Sequence, residues 1–495
     1  MKPLVIFALL VVATACAPST NARLPPSDAF YFPSGMVYQE FGQEGYLYVA
    51  SANYDKRFDS GSLSVVRISS VPGLPPIGAG VSSSGPVQLQ NLGSDFSQVF
   101  IQSFAGEMAA YIPQDASGNP RHDCVDSSGG PLPDCPIRLF IPTRAEGDLL
   151  EIVDALGTSV TCLQGGNNCI DPSFSLTALE RVGNGKPRAP EPIGVAVSSA
   201  TNCPLDPTVA CKGDVFVTHL KAADSPPKSN QLLETYVVHL SAADPVIDAT
   251  SFLSLGIQCA LIGCPITSSV ALGRRYAYLS SRYITTSGAV VFSLDQRNLT
   301  PSDGLATVYD SFLETSFQTL ESRGVAIGTN ERRLYVAGRS PESLVVINIA
   351  DSTAAVPMLT VARALTLPDG PNQVKVIPRQ QRGDLVVVTS STAGVVSVYD
   401  DDVGRMVTQI TGVGTEPFGI AVQAGPNLTC QGAMGSPPVP CARIFVSDFG
   451  DGRIAVIDIS DLTHPERAQL VAHLGRAQTC LLQENDASCV NTGTP

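Results

Sequence analysis

Short apolar runs separated by polar turns recur along this chain. One kind of run has an aromatic or large apolar residue at its centre and leads through a turn into a run rich in valine and isoleucine. Alternating apolar runs bounded by turn residues are typical of β-strands. The seven copies of the aromatic-centred run occupy residues 46–50, 138–142, 214–218, 276–280, 333–337, 384–388 and 443–447.

Each copy belongs to a longer repeated unit of four strands. The following valine- and isoleucine-rich runs are residues 62–68, 148–154, 235–240, 289–294, 343–349, 394–399 and 453–459. A preceding strand is clear at residues 192–197, 323–327 and 417–422, and a less regular fourth strand follows, as at residues 468–474. Four short antiparallel strands repeated seven times predict an all-β fold, a seven-bladed β-propeller over residues 30–475. A pair of packed β-sandwiches is the alternative.

Three phrases resemble a known propeller repeat. Leu334-Tyr335-Val336-Ala337, Val345-Val346-Ile347-Asn348 and Ile454-Ala455-Val456-Ile457-Asp458 are similar to the YVTN-type, WD-repeat-like repeat. The resemblance is clearest in blades five to seven. It implies the propeller fold but no activity, because propellers host unrelated functions.

The sequence predicts a complete first blade of four strands, at residues 35–37, 46–50, 62–68 and 87–92. The last full blade is predicted to end near Leu474. We therefore expect the ring to close by packing of the first blade against the last, without a strand shared across the seam.

Twelve of the 13 cysteines form close sequence neighbours, and each pair brackets a turn within one loop. This spacing predicts six local disulfides that staple loop insertions. The pairs are Cys124–Cys135, Cys162–Cys169, Cys203–Cys211, Cys259–Cys264, Cys430–Cys441 and Cys480–Cys489. A zinc site is the weaker alternative, because there is no Cys-x-x-Cys and no histidine at ligand spacing.

The remaining cysteine, Cys16, ends an apolar N-terminal segment that has the build of an export signal. Ala13-Thr14-Ala15 fits ordinary signal cleavage, but with Cys16 it also resembles a bacterial lipobox. The odd cysteine count favours the second interpretation. The resemblance implies a signal peptide over residues 1–15 and acylation of Cys16, and Ala17 in place of Asp implies the outer membrane. Residues 16–29 are predicted to be a lipid-anchored tether, and residues 476–495 a disulfide-tied tail.

Composition narrows the classes of partner. Lys and Arg number 31 against 45 Asp and Glu, for a net charge of −14, which argues against nucleic acid as a ligand. Hydrophobic residues make up 44% and charged residues 15%, so the chain is not disordered. Tryptophan is absent. Because indole rings offer a large flat apolar face for stacking, a sugar-binding surface is a less favoured interpretation.

The search for catalytic motifs finds no metalloprotease, haem, nucleophile-elbow or Walker sequence. The five histidines are scattered, and we expect no catalytic residue, cofactor or metal. Asn53, Asp55 and Asp59 have oxygen ligands that would suit calcium, but they are also ordinary turn residues.

The best candidate binding site comes from aligning the blades. The repeated runs align on Tyr48, Phe140, Phe216, Tyr278, Tyr335, Val387 and Phe445. Four residues beyond these positions stand Ala52, Arg144, Leu220, Arg282, Arg339, Ser391 and Phe449 respectively. In a propeller this position lies near the channel mouth, where the segments that begin blades carry Glu191, Glu321 and Glu416. Arg144, Arg282 and Arg339 therefore form either inter-blade salt links or a ring that binds an anion or an acidic partner segment.

The leading functional hypothesis is a non-catalytic binding or scaffold module of the bacterial envelope, with a protein or glycan partner and a membrane anchor. A propeller enzyme, lactonase-like or quinone-dependent dehydrogenase-like, is the alternative, as is a substrate-binding accessory of an envelope system. The enzyme hypothesis requires clustered acids, histidines or a metal at the channel mouth.

Overall fold

The computed structural model describes most of the chain from residue 23 to residue 478. The described residues are 23–81, 84–93, 95–112, 136–145, 147–177, 181–182, 186–187, 190–198, 213–221, 233–259, 266–282, 291–296, 308–310, 321–425, 428–431 and 437–478. They form seven antiparallel sheets arranged as the blades of a β-propeller, as the sequence predicted. The alternative of two β-sandwiches is therefore wrong.

Each blade has four strands in the order of the chain, from the channel outward. The first strands are Pro33–Phe41, Ala109–Tyr111, Pro192–Val197, Ile266–Leu272, Ser322–Ile327, Pro371–Ile377 and Pro417–Gln423. The second strands are Glu44–Ser51, Ile137–Thr143, Asp214–His219, Tyr276–Arg282, Arg333–Arg339, Leu385–Ser390 and Ala442–Asp448. The third strands are Gly61–Arg67, Leu149–Leu156, Leu233–Ser241, Val291–Asp295, Glu342–Ile349, Val395–Asp400 and Arg453–Ile459. The fourth strands are Ser97–Ile101, Ser159–Cys162, Phe252–Cys259, Val308–Asp310, Leu359–Thr366, Arg405–Ile410 and Gln469–Leu474.

A few short elements lie outside this repeat. Two small hairpins pair Arg181–Val182 with Lys186–Pro187 and Thr429–Cys430 with Val439–Pro440. Single 3-10 turns occupy Ile68–Ser70, Pro172–Phe174, Ala249–Ser251 and Pro465–Arg467. Within the part of the chain that the structure describes, no helix is long and apolar enough to span a membrane.

The core lies between neighbouring blades, whose sheets pack face to face. Tyr278 of blade four, for example, shares one apolar cluster with Leu334 and Val345 of blade five. The second strands are covered on both faces, so that every residue of Leu385–Ser390 is buried. The outer strand Leu359–Thr366 is largely accessible by comparison. This difference in burial explains why the second strands are the clearest signal in the sequence.

The seam between the first and last blades differs from the prediction. The fourth strand of blade one is Ser97–Ile101, which pairs with Gly61–Arg67. Val87–Leu89 instead pairs in parallel with Gln469–Leu474 and becomes a fifth strand of blade seven. The assignment of residues 87–92 to blade one and the expectation that no strand is shared across the seam were therefore wrong.

The physical reason for this pairing is the apolar character of the segment. Leu89 and Leu92 are buried in a cluster with Val471, Leu474 and Phe445 of blade seven. Blade seven already has four strands of its own, so the added strand covers its outer edge and joins the two ends of the ring.

Two of the six predicted disulfides are present in the structure. Cys162–Cys169 and Cys430–Cys441 have S–S distances of 2.07 and 2.14 Å. Cys16 and the pairs Cys124–Cys135, Cys203–Cys211 and Cys480–Cys489 lie outside the described residues, as does Cys264, the expected partner of Cys259.

Part of the predicted tether contacts the propeller. Arg23 exchanges two hydrogen bonds with Asp59 of blade one, from Arg23 N–H to Asp59 Oδ2 and from Asp59 N–H to Arg23 O, both 3.0 Å. Asp28 forms an ion pair with Arg476 at 2.6 Å. Residues 23–29 therefore lie against the blade that begins the ring and the segment that ends it.

Candidate functional site

A cavity of about 880 Å³ opens at one end of the propeller channel. All seven residues that the blade alignment placed at one structural position line this cavity. They are Ala52, Arg144, Leu220, Arg282, Arg339, Ser391 and Phe449. The structure thus brings the three candidate arginines, Arg144, Arg282 and Arg339, to the same face of the disc.

A repeated backbone hydrogen bond explains why these positions are equivalent. In blade five the N–H of Arg339 donates to the carbonyl oxygen of Glu321, the residue before the first strand, at 2.8 Å. Leu220 donates to Glu191 in blade three at 2.9 Å, and blades one, six and seven have the same bond. In these five blades the end of the second strand is therefore held beside the start of the first strand, at the channel mouth.

A second set of lining residues occupies the second position of the first strand. Its members are Ser34, Ile193, Arg323, Asn372 and Phe418. This set adds a fourth arginine, Arg323, to the cavity, which the sequence analysis missed. Aligning the first strands by their Pro-x-Gly or Ser-x-Gly starts, as at Pro192 and Ser322, would have found it.

Two of the four arginines share one carboxylate. Arg282 Nε donates to Glu321 Oε1 at 2.9 Å, and Arg323 forms an ion pair with the same oxygen. Arg282 belongs to blade four and Glu321 precedes blade five, so this contact is the inter-blade salt link that the sequence analysis offered as one alternative.

Arg339 and Arg144 have different surroundings. Arg339 Nη2 lies 3.5 Å from the hydroxyl oxygen of Ser391 on blade six. The described residues offer Arg144 no ion pair within 4.0 Å, and its buried Nε has no hydrogen-bond partner among them. Glu191, the acid before blade three, forms an ion pair with Lys221 instead.

The charge state of Arg144 reflects this environment. Burial lowers the pKa of its guanidinium, and the charge of Arg282 lowers it further, against the opposing effects of Glu191 and Tyr54. Asp148 is also close enough to interact, but burial raises the pKa of that carboxyl to about 6. Asp148 is therefore a poor counter-charge in mildly acidic solution. A partly desolvated cation of this kind interacts strongly with an anion that reaches it.

The wall formed by blades one and seven is aromatic. Phe449 has ring-centroid distances of 5.2 Å to Phe32, 5.7 Å to Tyr54 and 6.1 Å to Phe418. Tyr54, Phe418 and Phe449 line the cavity, and the side chain of Tyr54 is 55% exposed. The arginines belong to blades two, four and five, so the basic part of the lining begins on the blade next to this aromatic wall and continues round the mouth.

Glu107 lies at the inner end of the cavity. Its neighbour Gly106 lines the cavity, whereas Glu107 lines a second cavity of about 340 Å³ further along the channel. Glu107 Oε1 accepts a hydrogen bond from Gln373 Nε2 of blade six at 2.6 Å. This contact crosses the channel from the segment that begins blade two. Burial raises the pKa of Glu107, with the hydrogen bond from Gln373 opposing that shift.

The other candidate residues stabilise turns or form local ion pairs. Asn53 holds its turn through hydrogen bonds to Phe58 and Ser103, and Asp55 pairs with Arg57 at 2.6 Å. Residues 23–478, less the gaps in the described ranges, contain no group of three or more His, Cys, Asp or Glu side chains placed to hold a metal ion. His239 and His464 pair with nearby Asp214 and Asp461.

Comparisons with known proteins place the chain near other propellers at low similarity. No protein-family model matches the chain. No curated protein sequence matches it either.

Several solved structures are similar in outline. Hydrazine synthase of Kuenenia stuttgartiensis is 11% identical, covers 90% of this chain and 99% of its own, and has a TM-score of 0.45. The β-propeller domain of Cps50 (Swd1) from Myceliophteria thermophila is 10% identical over 88% and 98% of the two chains, with a TM-score of 0.44. The periplasmic gluconolactonase of Pseudomonas aeruginosa is 14% identical over 68% and 82%, with a TM-score of 0.38. At these scores the similarities carry no argument about function.

Proposed function

We propose that this protein is a non-catalytic binding module that captures an anionic ligand in the arginine-lined cavity at the mouth of its propeller. The observation that carries the proposal is the composition of the cavity wall. Arg144, Arg282, Arg323 and Arg339 line it, and Glu416 is the one carboxylate among the described lining residues. Guanidinium groups present planar forks of donors that match carboxylate and phosphate oxygens.

The balance of charge at the site supports an external anion. Glu321, the nearest acid to Arg282 and Arg323, is shared between them. Arg144 and Arg339 have no carboxylate partner within ion-pair distance among the described residues. Cations held close together repel one another unless an opposite charge compensates them. The chain as a whole carries −14, so this basic cavity contrasts with the rest of the surface.

The geometry is also suited to binding without rearrangement. The arginine positions are fixed by strand ends, as in the 2.8 Å hydrogen bond from the Arg339 N–H to the Glu321 carbonyl. A site built on a rigid scaffold loses little conformational entropy when its ligand arrives. The volume of about 880 Å³ lies within the range of pockets that hold small organic ligands.

The proposal is tested by titrating the purified protein with citrate and with inorganic phosphate in a calorimeter. Arg144→Gln combined with Arg339→Gln should lower the affinity by roughly a hundredfold, because each lost guanidinium removes a charge-assisted contact. Arg405→Gln is the matched control, since it removes one positive charge from an exposed position on the outer strand of blade six. Thermal unfolding should be unchanged in all variants.

Two results would overturn the proposal. One is an absence of binding to either anion at low ionic strength. The other is equal affinity in the cavity variant and in Arg405→Gln, which would mean that any attraction is a general surface effect.

We also propose that the module is held at the bacterial outer membrane by an acylated Cys16, where a protein or glycan partner would present the anion. The lipobox-like residues before Cys16 and the odd cysteine count support this location. The two disulfides in the structure support an oxidising compartment.

A further inference from the structure

The cavity has two chemically different walls, and together they restrict what it can hold. Arginines from blades two, four and five form one wall, and Tyr54, Phe418 and Phe449 form the other. A bare inorganic anion would leave the aromatic wall in contact with water. A purely apolar ligand would leave the guanidinium groups without a counter-charge.

The aromatic wall has room for a ring. Tyr54 is 55% exposed although it is in contact with Phe32, Phe104 and Phe449. Its ring therefore presents a free face at the mouth while its other contacts hold it in place. Aromatic side chains bind flat apolar groups by stacking or edge contacts at centroid distances of about 4.5–7 Å.

The two walls meet where Tyr54 approaches Arg144. The phenol of Tyr54 is close enough to raise the pKa of the Arg144 guanidinium. An anionic group at Arg144 would therefore place a covalently attached ring beside Tyr54 and Phe449. A single small ligand can satisfy both walls.

The inner end of the cavity limits the length of the ligand. The hydrogen bond between Glu107 and Gln373 crosses the channel below the cavity and joins residues 266 positions apart. These two side chains obstruct the channel at that depth. The occupant thus enters from one face and remains near the mouth.

We infer that the ligand is a small organic anion, a carboxylate or a phosphate monoester, that carries a planar apolar ring. The anionic group binds Arg144, on the blade next to the aromatic wall, and the ring lies against Tyr54 and Phe449. This inference rests on the proposed function and adds the chemical class of its ligand.

The test compares ligands that carry both parts with ligands that carry one. Benzoate and phenyl phosphate have a ring and an anion, acetate and inorganic phosphate have the anion alone, and benzyl alcohol has the ring alone. Benzoate and phenyl phosphate should each bind roughly tenfold more tightly than acetate and inorganic phosphate respectively, because ring contacts add to the ionic ones. The comparison between benzoate and phenyl phosphate identifies the anionic group.

Two substitutions test whether the aromatic wall causes the preference for ring-bearing anions. Tyr54→Ala combined with Phe449→Ala should abolish the advantage of the ring-bearing anions and leave the affinity for inorganic phosphate unchanged. Val403→Ala is the control, because Val403 is an apolar residue that is 57% exposed and lies outside the cavity. If the double variant does not fold, Tyr54→Ser alone is the alternative, because that side chain is more than half exposed. It should reduce the affinity advantage of the ring-bearing anions at least by half.

The remaining outcomes separate this inference from the proposal beneath it. Phenyl phosphate and inorganic phosphate could bind equally tightly and both require the arginines. This result would refute the requirement for a ring and would still support the anion site. Binding of benzyl alcohol as tight as that of benzoate would refute the need for the anion. Failure of every anion to bind would refute both.

Discussion

At the scale of single residues, three arginines that share one repeat position have three different environments. Arg282 pairs with Glu321 across a blade boundary, whereas the partner of the Arg339 side chain among the described residues is the hydroxyl of Ser391. The corresponding partner of Arg144 would be Glu191, but that carboxylate pairs with Lys221. One residue type at one position therefore gives a structural salt link in blade four and a candidate binding group in blade two.

Glu151 is a buried acid between blades one and two. It is 1% exposed, and its Oε1 accepts a hydrogen bond from the N–H of Gln102 at 3.0 Å. Its Oε2 has no hydrogen-bond partner among the described residues. Burial raises the pKa of Glu151 to about 8, with the Gln102 hydrogen bond opposing that shift. Its charged form is thus disfavoured in the folded protein.

We predict that Glu151→Gln stabilises the protein at pH 9 and changes its stability little at pH 5. In the wild-type protein, burial raises the pKa of Glu151 from its ordinary value of 4.5 to about 8, so folding favours the protonated acid. The stability that this carboxyl contributes is fully present below pH 4.5 and is lost as the pH rises through 8. Glutamine does not ionise, so it removes this loss. The gain at pH 9 should be about 5 kcal/mol, measured by urea unfolding at both pH values.

A second acid serves as the control for this prediction. Asp154 on the same strand is partly exposed and pairs with Arg138 at 2.7 Å, so Asp154→Asn should destabilise at pH 9. If Glu151→Gln instead destabilised the protein equally at pH 5 and pH 9, the carboxyl would be contributing packing or hydrogen bonds rather than an electrostatic penalty.

At the scale of elements, the loop closed by Cys162 and Cys169 links two blades. The N–H of Phe100, on the fourth strand of blade one, donates to Asn167 O at 2.7 Å, and the N–H of Cys169 donates to Phe100 O at 2.9 Å. Both cysteines are buried in the cluster between these blades. The disulfide therefore holds a blade-two loop in the position where it extends the edge of blade one.

We predict that Cys162→Ser combined with Cys169→Ser destabilises the protein by about 2 kcal/mol, because the short loop gains freedom in the unfolded chain. Hydrogen exchange at the amides of Phe100 and Cys169 should accelerate, since both bonds depend on the loop conformation. The measurements are urea unfolding and exchange followed by mass spectrometry.

The pair Cys430→Ser with Cys441→Ser provides the comparison, because that disulfide lies within blade seven. Removal of the Cys430–Cys441 disulfide should leave hydrogen exchange at the amide of Phe100 unchanged. Unaltered exchange at Phe100 in the Cys162/Cys169 variant would show that the loop contacts blade one without help from its disulfide.

At the scale of the whole molecule, the ring is closed by several contacts between its ends. Val87–Leu89 pairs with the last strand of blade seven, and Asp28 pairs with Arg476. Asp28 is five residues from Arg23, which itself contacts Asp59 of blade one. An anchor at Cys16 would therefore join the disc at its seam through a short segment.

We predict that the mature protein begins at an acylated Cys16 and is retained in the membrane fraction. Cys16→Ser should release it, because acyl chains supply the membrane affinity. Fractionation and intact-mass measurement check the outcome. A wild-type product that begins at Cys16, is soluble and carries no added mass would contradict the prediction.

The amino-acid sequence by itself determined the repeat, the seven second strands and the ring of positions at the channel mouth. These features depend on alternation and turn residues within some tens of residues, which local physical chemistry encodes. The placement of Arg144, Arg282 and Arg339 on one face followed, because equivalent positions in equivalent blades must point the same way.

Only the tertiary structure decided which charges pair, which aromatic side chains meet and how the ring closes. Tyr54 contacts Phe449, and Glu107 contacts Gln373, across hundreds of residues of chain. Val87–Leu89 joins blade seven because ring closure brings distant segments together. Such contacts arise from the geometry of the closed ring and leave no periodic trace in the sequence.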